Sequence, residues 1–256
     1  MNNFSQSEFS NYTVLESKQS TVSGVVSKKF MAGVFTWMFL ALGVSSLFAI
    51  LFANNPELLS YLINVNVNGK GAGLNMLGYA VMFAPFVFVL LMSFAYSRLS
   101  PTAMIALFMA YAAVNGISFS FILLAYTSGS VIGCFASASV MFGVMALMGY
   151  TTDKDLSSFG TILTMGLVGM VIAMMINWFL HSDALGYVIS LVGVAVFTGL
   201  TAYDVQKLKR VGAGLEYNDV SANDTKKLSL LGALTLYLDF INLFIMLLRL
   251  FGNRRN

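Results

Sequence analysis

Seven stretches of the chain stay apolar for about 20 residues, the length an α-helix needs to cross a hydrocarbon core roughly 30 Å thick. They cover residues 31–53, 77–96, 103–125, 129–150, 159–180, 184–205 and 228–250. The connections after the third and fifth stretches are only a few residues long, through "YTSGS" and "HSD", so those helix pairs are expected to form tight antiparallel hairpins. Two longer polar stretches interrupt the pattern. In residues 54–76, "ELLSYLI" reads as a short interfacial turn and "GKGAG" as a flexible segment; residues 206–227, "QKLKRVGAGLEYNDVSANDTKK", form the most charged loop. Residues 1–30, rich in Ser and Asn, have no secretory n-region and h-region and read as a flexible cytosolic tail. The expected organisation is thus a tail over 1–30, a seven-helix transmembrane domain over 31–252 and a short basic tail over 253–256.

Composition agrees. Of 256 residues, 58% are hydrophobic and 10% charged, against roughly 45–50% and roughly 25% in a soluble domain. The fold class is therefore an all-α integral membrane protein. A net charge of +3 gives no support to a nucleic-acid surface, and it bears on orientation instead. Lys18, Lys28, Lys29, Arg98, Lys154, Lys207, Lys209, Arg210, Lys226 and Lys227 fall on the side of the N-terminus, whereas Lys70, Arg249, Arg254 and Arg255 fall on the other. This bias places the N-terminus in the cytosol. Seven full spans then put the C-terminus outside, against the pull of the basic "NRR" ending. The single cysteine, Cys134, excludes an intramolecular disulfide and a multi-cysteine metal site, and it reads as a small packing residue.

Against this apolar background one carboxylate stands out. Asp239, in "LYLDFINLF", lies about 11 residues into the last span, roughly 16 Å deep. A carboxylate there costs about 2.5–3.5 kcal/mol on insertion scales, so it should face protein and have a partner. Thr235, Asp239, Asn242, Met246 and Arg249 follow one another at spacings of three or four and form one polar seam, which predicts a central position for this helix. On the sixth span, Ser190, Gly193, Phe197, Thr201 and Asp204 form a matching face. Asp204 and Asp239 lie in the cytosolic halves of consecutive helices and are expected to be neighbours. Two adjacent carboxylates resist joint ionisation, so the pair would hold a shared proton and could sense pH. Asp204 could instead bond Lys207 at i+3. Arg98, just past the second span, is either a positive-inside anchor or a latch on Asp204.

Other signals are weaker. His181, Ser182 and Asp183 are adjacent, so their side chains diverge and cannot form a triad. "GKGAG" lacks the strand and helix of a phosphate loop. Gly129, Gly133 and Ser137 suggest helix packing, and "KLKR" a solvated patch suited to anionic lipid. With no nucleophile and base constellation, enzymatic activity is not expected, and no cofactor is implied.

Three segments resemble the Bax inhibitor-1 family, also called the transmembrane Bax inhibitor motif family, and its bacterial members most: "FTGLTAYDVQKLKR" (197–210), "LSLLGALTLYLDFINLFIMLLRLFG" (228–252) and "YSRLSPTAMIALFMAYAAVNGISFSFI" (96–122). The resemblance implies a seven-helix bundle whose last helix is central and surrounded by the other six. It further implies a pH-sensitive calcium leak, a paired-aspartate sensor matching Asp204 and Asp239, and a latch arginine matching Arg98. Bacterial members are linked to a membrane-embedded AAA quality-control protease, and an inner (plasma) membrane location is implied.

Calcium takes six to eight oxygen ligands, whereas two aspartates supply at most four. A calcium ion held by Asp204 and Asp239, with help from Asn242, Thr201 or water, would bind weakly and transiently, as suits passage. The leading expectation is therefore a pH-gated cation leak across the membrane, with calcium the best-supported ion, sensed by Asp204 and Asp239 and latched by Arg98. The alternative is a regulatory membrane protein that binds a membrane protease or another membrane partner through its tail and basic loop. A proton-coupled transporter comes third.

Overall fold

The computed structural model describes residues 6–65, 71–94, 98–217 and 220–255, with side chains described from Val25 onward. The elements are helix α1 (Gln6–Asn54), a one-turn helix α2 (Pro56–Ser60), strands β1 (Ile63–Val65) and β2 (Gly71–Leu74), then helices α3 (Met76–Phe94), α4 (Pro101–Ala125), α5 (Ser128–Thr151), α6 (Ser157–Leu180), α7 (Asp183–Tyr217) and α8 (Ala222–Phe251). Seven of the helices are long and apolar enough to span a membrane. The protein is an all-α integral membrane protein.

Local chemistry sets many of the boundaries. Ser100 caps α4 by accepting from the Ala103 N–H, with Pro101 at the first helical position. Thr127 caps α5 through the Ser130 N–H, and Ser221 caps α8 through the Asp224 N–H. A short polar side chain at each position satisfies a donor that the first turn leaves unpaired. His181 ends α6 in the left-handed conformation at φ 50°, which lets the chain reverse within two residues into α7.

Three expectations about the connections change. The stretch 206–227 is not a long loop: α7 runs on to Tyr217 and α8 begins at Ala222. "QKLKRV" is made of good helix formers, and the extension is held by packing, with Leu215 buried and Gly212 against Ser27 and Phe30 of α1. The tail expected over 1–30 is helical from Gln6; residues 6–30 contain one Gly and no Pro, so nothing stops an already nucleated helix from continuing. In the first loop, the predicted interfacial turn is α2, capped by Asn55, followed by the β1–β2 hairpin; Gly69 and Lys70 of "GKGAG" lie outside the described residues.

Helix α8 is the most buried span, 72% of its apolar window being enclosed. Its packing neighbours are α1, α4, α5 and α7, while α3 rests on α4 and α6 on α7. Among the described residues α8 therefore has four close neighbours rather than the six expected. The two peripheral helices are apolar all round and present Phe83, Phe86 and Phe94, or Phe159, Trp178 and Phe179, to the exterior, where lipid is the natural solvent. Close approach of helices is made possible by Gly116, where a Cβ would strike the Ser45 backbone, and by Gly149, where it would strike that of Ala202. Gly129 and Gly133, expected to pack a helix, border open space instead, because α5 turns its other face to α7 and α8.

The C-terminus lies at the end of the bundle opposite the α3–α4 and α5–α6 turns. Arg255 N–H donates to the Ala125 carbonyl at 2.9 Å, and Thr127 N–H to the Asn253 carbonyl at 3.0 Å. The basic ending is thus tied by backbone pairing to the α4–α5 turn, and α8 crosses the full bundle.

Candidate functional site

The site is built where α7 packs against α8. Asp239 is 5% exposed and Asp204 is half-buried. Their carboxyl groups face each other across this contact, and Oδ2 of Asp239 is buried with no hydrogen-bond partner. Two carboxylates side by side in a dry place resist joint ionisation. Lys207, one turn along α7, acts on Asp204 through space, but it forms no ion pair with it among the described residues; its ammonium stands over the Tyr203 ring, 6.0 Å from the centroid.

The remaining predicted residues fall into two groups. Thr201 and Thr235 are on the expected faces, with hydroxyls donating to their own helix backbones, Thr201 to Phe197 O at 2.8 Å and Thr235 to Leu231 O at 3.1 Å. Asn242 is half-buried on the same seam. Arg98 does not join them. It is exposed in the α3–α4 turn and makes no ion pair among the described residues, because α3 packs on α4 and carries the turn away from α7. The latch on Asp204 is not formed in this structure.

The two seams meet along their length. Toward the C-terminal end, Gly193 lies so close to Met246 that a Cβ would stand 2.9 Å from its sulfur, with Met170 at 3.0 Å. Beyond this constriction a cavity of about 840 Å³ opens, lined by Ser190, Asp183, His181, Arg249 and Arg254 among others. Phe197 and Met246, each seven residues along its helix from the carboxyl pair in the direction of that cavity, are buried. No cluster of three metal-ligating side chains occurs among the described residues.

Two polar networks around the site escaped the sequence reading. On the side of α8 facing α1 and α4, Tyr237 is fully buried. Ser45 Oγ donates to Ala112 O at 2.7 Å, so the Tyr237 hydroxyl, 2.7 Å away, donates to Ser45 Oγ in turn; the Asn115 amide donates to Tyr237 Oη at 3.0 Å and to Tyr111 Oη at 3.3 Å. The signal for it was present, since Ser45 and Asn115 are the polar residues of otherwise apolar faces. At the N-terminal end, the α5–α6 turn is clamped to α7. Buried Gln206 accepts from Leu156 N–H at 2.9 Å and donates to Lys154 O at 2.8 Å. Arg210 donates to Gln206 Oε1 and Ser157 Oγ, each at 2.8 Å, and pairs with Asp155. That hydrogen bond from Arg210, with help from the Ser157 N–H, lowers the Asp155 carboxyl from its ordinary 3.8 to about 2. Lys209 donates to Tyr150 O at 2.8 Å and lies 5.2 Å from that ring's centroid. The "KLKR" patch is thus largely engaged with the α5–α6 turn rather than free in solvent.

The profile of the family described as "Inhibitor of apoptosis-promoting Bax1" matches residues 27–256. The chain belongs to this family, Bax inhibitor-1. Among its relatives is the Escherichia coli K12 protein named "Inner membrane protein YbhL", 42% identical over 226 residues that cover 88% of this chain and 92% of that one. Uncharacterised proteins of Rickettsia prowazekii, 42% identical over 70% of this chain and 74% of theirs, and of Borreliella burgdorferi, 36% identical over 91% and 95%, are similar. The Bax inhibitor-1 resemblance seen in the motifs therefore extends across the whole seven-helix domain, and the inner-membrane setting it implied agrees with the name of the E. coli relative.

Proposed function

We propose that this Bax inhibitor-1 family protein is a pH-sensitive cation leak of the inner membrane, with calcium as the ion carried, and that Asp204 and Asp239 sense the pH. The observation that carries this reading is the buried carboxyl–carboxyl contact between α7 and α8, with an oxygen of Asp239 that no hydrogen-bond donor reaches. A merely structural polar contact would be served by an amide, which has no titration. With one shared proton the pair carries a single negative charge and ties the helices together. Loss of that proton leaves two negative charges in a dry place. Two unit charges about 4 Å apart repel by roughly 4 kcal/mol at an effective dielectric near 20, enough to part a helix contact held at the constriction by thioether and aromatic packing. The same step doubles the attraction for a divalent cation. Both effects make the leak rise with pH. The constriction at Gly193, Met246 and Phe197 is the apolar barrier that parting would open. The excess of Lys and Arg at the end bearing the α3–α4 and α5–α6 turns supports a cytosolic N-terminus.

The test is calcium entry into dye-loaded liposomes containing the purified protein, from about pH 5.5 to about 8.5, with Asp239→Asn and Asp204→Asn alongside. Flux that rises with pH and is flattened by both substitutions supports the proposal. Flux indifferent to both, or none, would leave the aspartates as structural contacts and shift the function to regulation of a membrane partner.

A further inference from the structure

Helices α1 and α5 both pack on α8 and α7 but do not pack closely on each other among the described residues. Between them runs an apolar furrow of about 680 Å³ whose floor is Phe240 of α8, the residue after Asp239. Its α1 wall extends from Lys28 to Ser46, about 27 Å of helix, and a further cavity of about 290 Å³ continues it toward the other end, sharing Leu42, Ser46 and Phe135. The furrow opens sideways: Phe39 and Leu147 on its rims are 63% and 66% exposed, and Cβ atoms added at Gly43 or Gly143 would meet nothing within 4 Å. Its length, side opening and apolar lining suit an extended hydrocarbon chain.

The ends of the furrow are unlike. At the N-terminal end stand Lys28 and Tyr150, and Tyr150 holds the Lys209 ammonium at its carbonyl and ring. Lys28 is exposed and forms no ion pair among the described residues. No carboxylate lines the furrow among the described residues. Two ammonium groups at one end of an apolar slot select an occupant with a negative head and a long tail.

We propose that this furrow is a binding site for one anionic glycerophospholipid of the leaflet at the N-terminal end, with its headgroup between Lys28 and Lys209 and one acyl chain against Phe240. The bound chain completes the wall of the bundle where α1 and α5 leave α8 uncovered, and it touches the helix turn that carries Asp239. The assignment does not depend on ion conduction.

Native mass spectrometry of the detergent-purified protein, titrated with phosphatidylglycerol or with phosphatidylcholine of identical chains, tests it. The wild type should retain one phosphatidylglycerol about thirtyfold more tightly than phosphatidylcholine, the worth of two lysines at a membrane surface. Lys28→Gln, an exposed and mild change, should cut that preference to about fivefold. Gly143→Phe, which fills the slot, should abolish retention of both lipids, while Gly129→Phe on an open stretch of α5 outside the furrow should not. Equal retention of the two lipids by the wild type would overturn the proposal, as would a Lys28→Gln protein that keeps the full preference. So would a stable dimer that Gly143→Phe splits, since the furrow would then hold a second copy of the chain.

Discussion

Replacing Gln206 by Ala removes the centre of the clamp between α7 and the α5–α6 turn. Gln206 is 5% exposed and makes three hydrogen bonds, from Leu156 N–H, from Arg210 and to Lys154 O. A neutral bond contributes about 0.5–1.5 kcal/mol net and one to a charged group about 1.5–3. Arg210 keeps Ser157 and Asp155, so its loss is partial. The expected destabilisation is therefore about 2–3 kcal/mol, with two backbone groups of the turn left short of a partner. Equilibrium unfolding in mixed micelles, followed by loss of helix signal, reads this directly. Gln206→Glu is the informative companion: its carboxylate still accepts from Leu156 and Arg210 and loses only the donor to Lys154 O, so it should cost less than half as much. Because Gln206 lies two residues from Asp204, loosening this end of α7 should also raise the leak at the low pH where the wild type is closed. An Ala variant within about 0.5 kcal/mol of wild type, or a Glu variant as damaging as Ala, would refute the clamp.

Tyr237→Phe deletes a hydroxyl that bonds Ser45 and Asn115; it should cost about 1–2 kcal/mol by the same unfolding measurement, without changing the pH profile of the flux, since this network lies on another face of α8. Asp155→Asn should alter stability equally at every pH from about 5.5 to about 8.5. The Asp155 carboxyl is held down at about 2 from 3.8, so its contribution is complete above 3.8 and is lost only as pH falls through about 2. A pH-dependent difference between wild type and this variant in the neutral range would show that the clamp, and not the aspartate pair, titrates there.

The apolar pattern located all seven spans because lipid leaves little choice: a span must be long, helical and apolar. Asp239 was legible for the same reason, as a carboxylate conspicuous in that background, and its seam pointed to Asp204 by helical spacing alone. Arg98 was not placed by such reasoning, since a turn residue has no period to assign its direction, and the packing of α3 on α4 carried it away. Gln206 and Arg210 looked like ordinary solvated residues; their roles depend on the α5–α6 turn folding back to them, a tertiary contact with no local signature. The end of α7 was misplaced because hydropathy marks where a helix leaves the membrane, not where it stops being helical. Gly129 and Gly133 show the same limit, since a small-residue face states what a helix permits and not what comes to meet it.

The central claim is that Asp204 and Asp239 share a proton that is lost as pH rises. Infrared difference spectroscopy of the reconstituted protein, titrated over the range used for flux, observes that proton through the carbonyl stretch of a protonated carboxyl group. The account predicts one such band at the acid end that fades as the calcium flux grows, with a common midpoint, and that is altered by Asp204→Asn and abolished by Asp239→Asn. A band that persists unchanged while flux rises, or that survives Asp239→Asn, would contradict it.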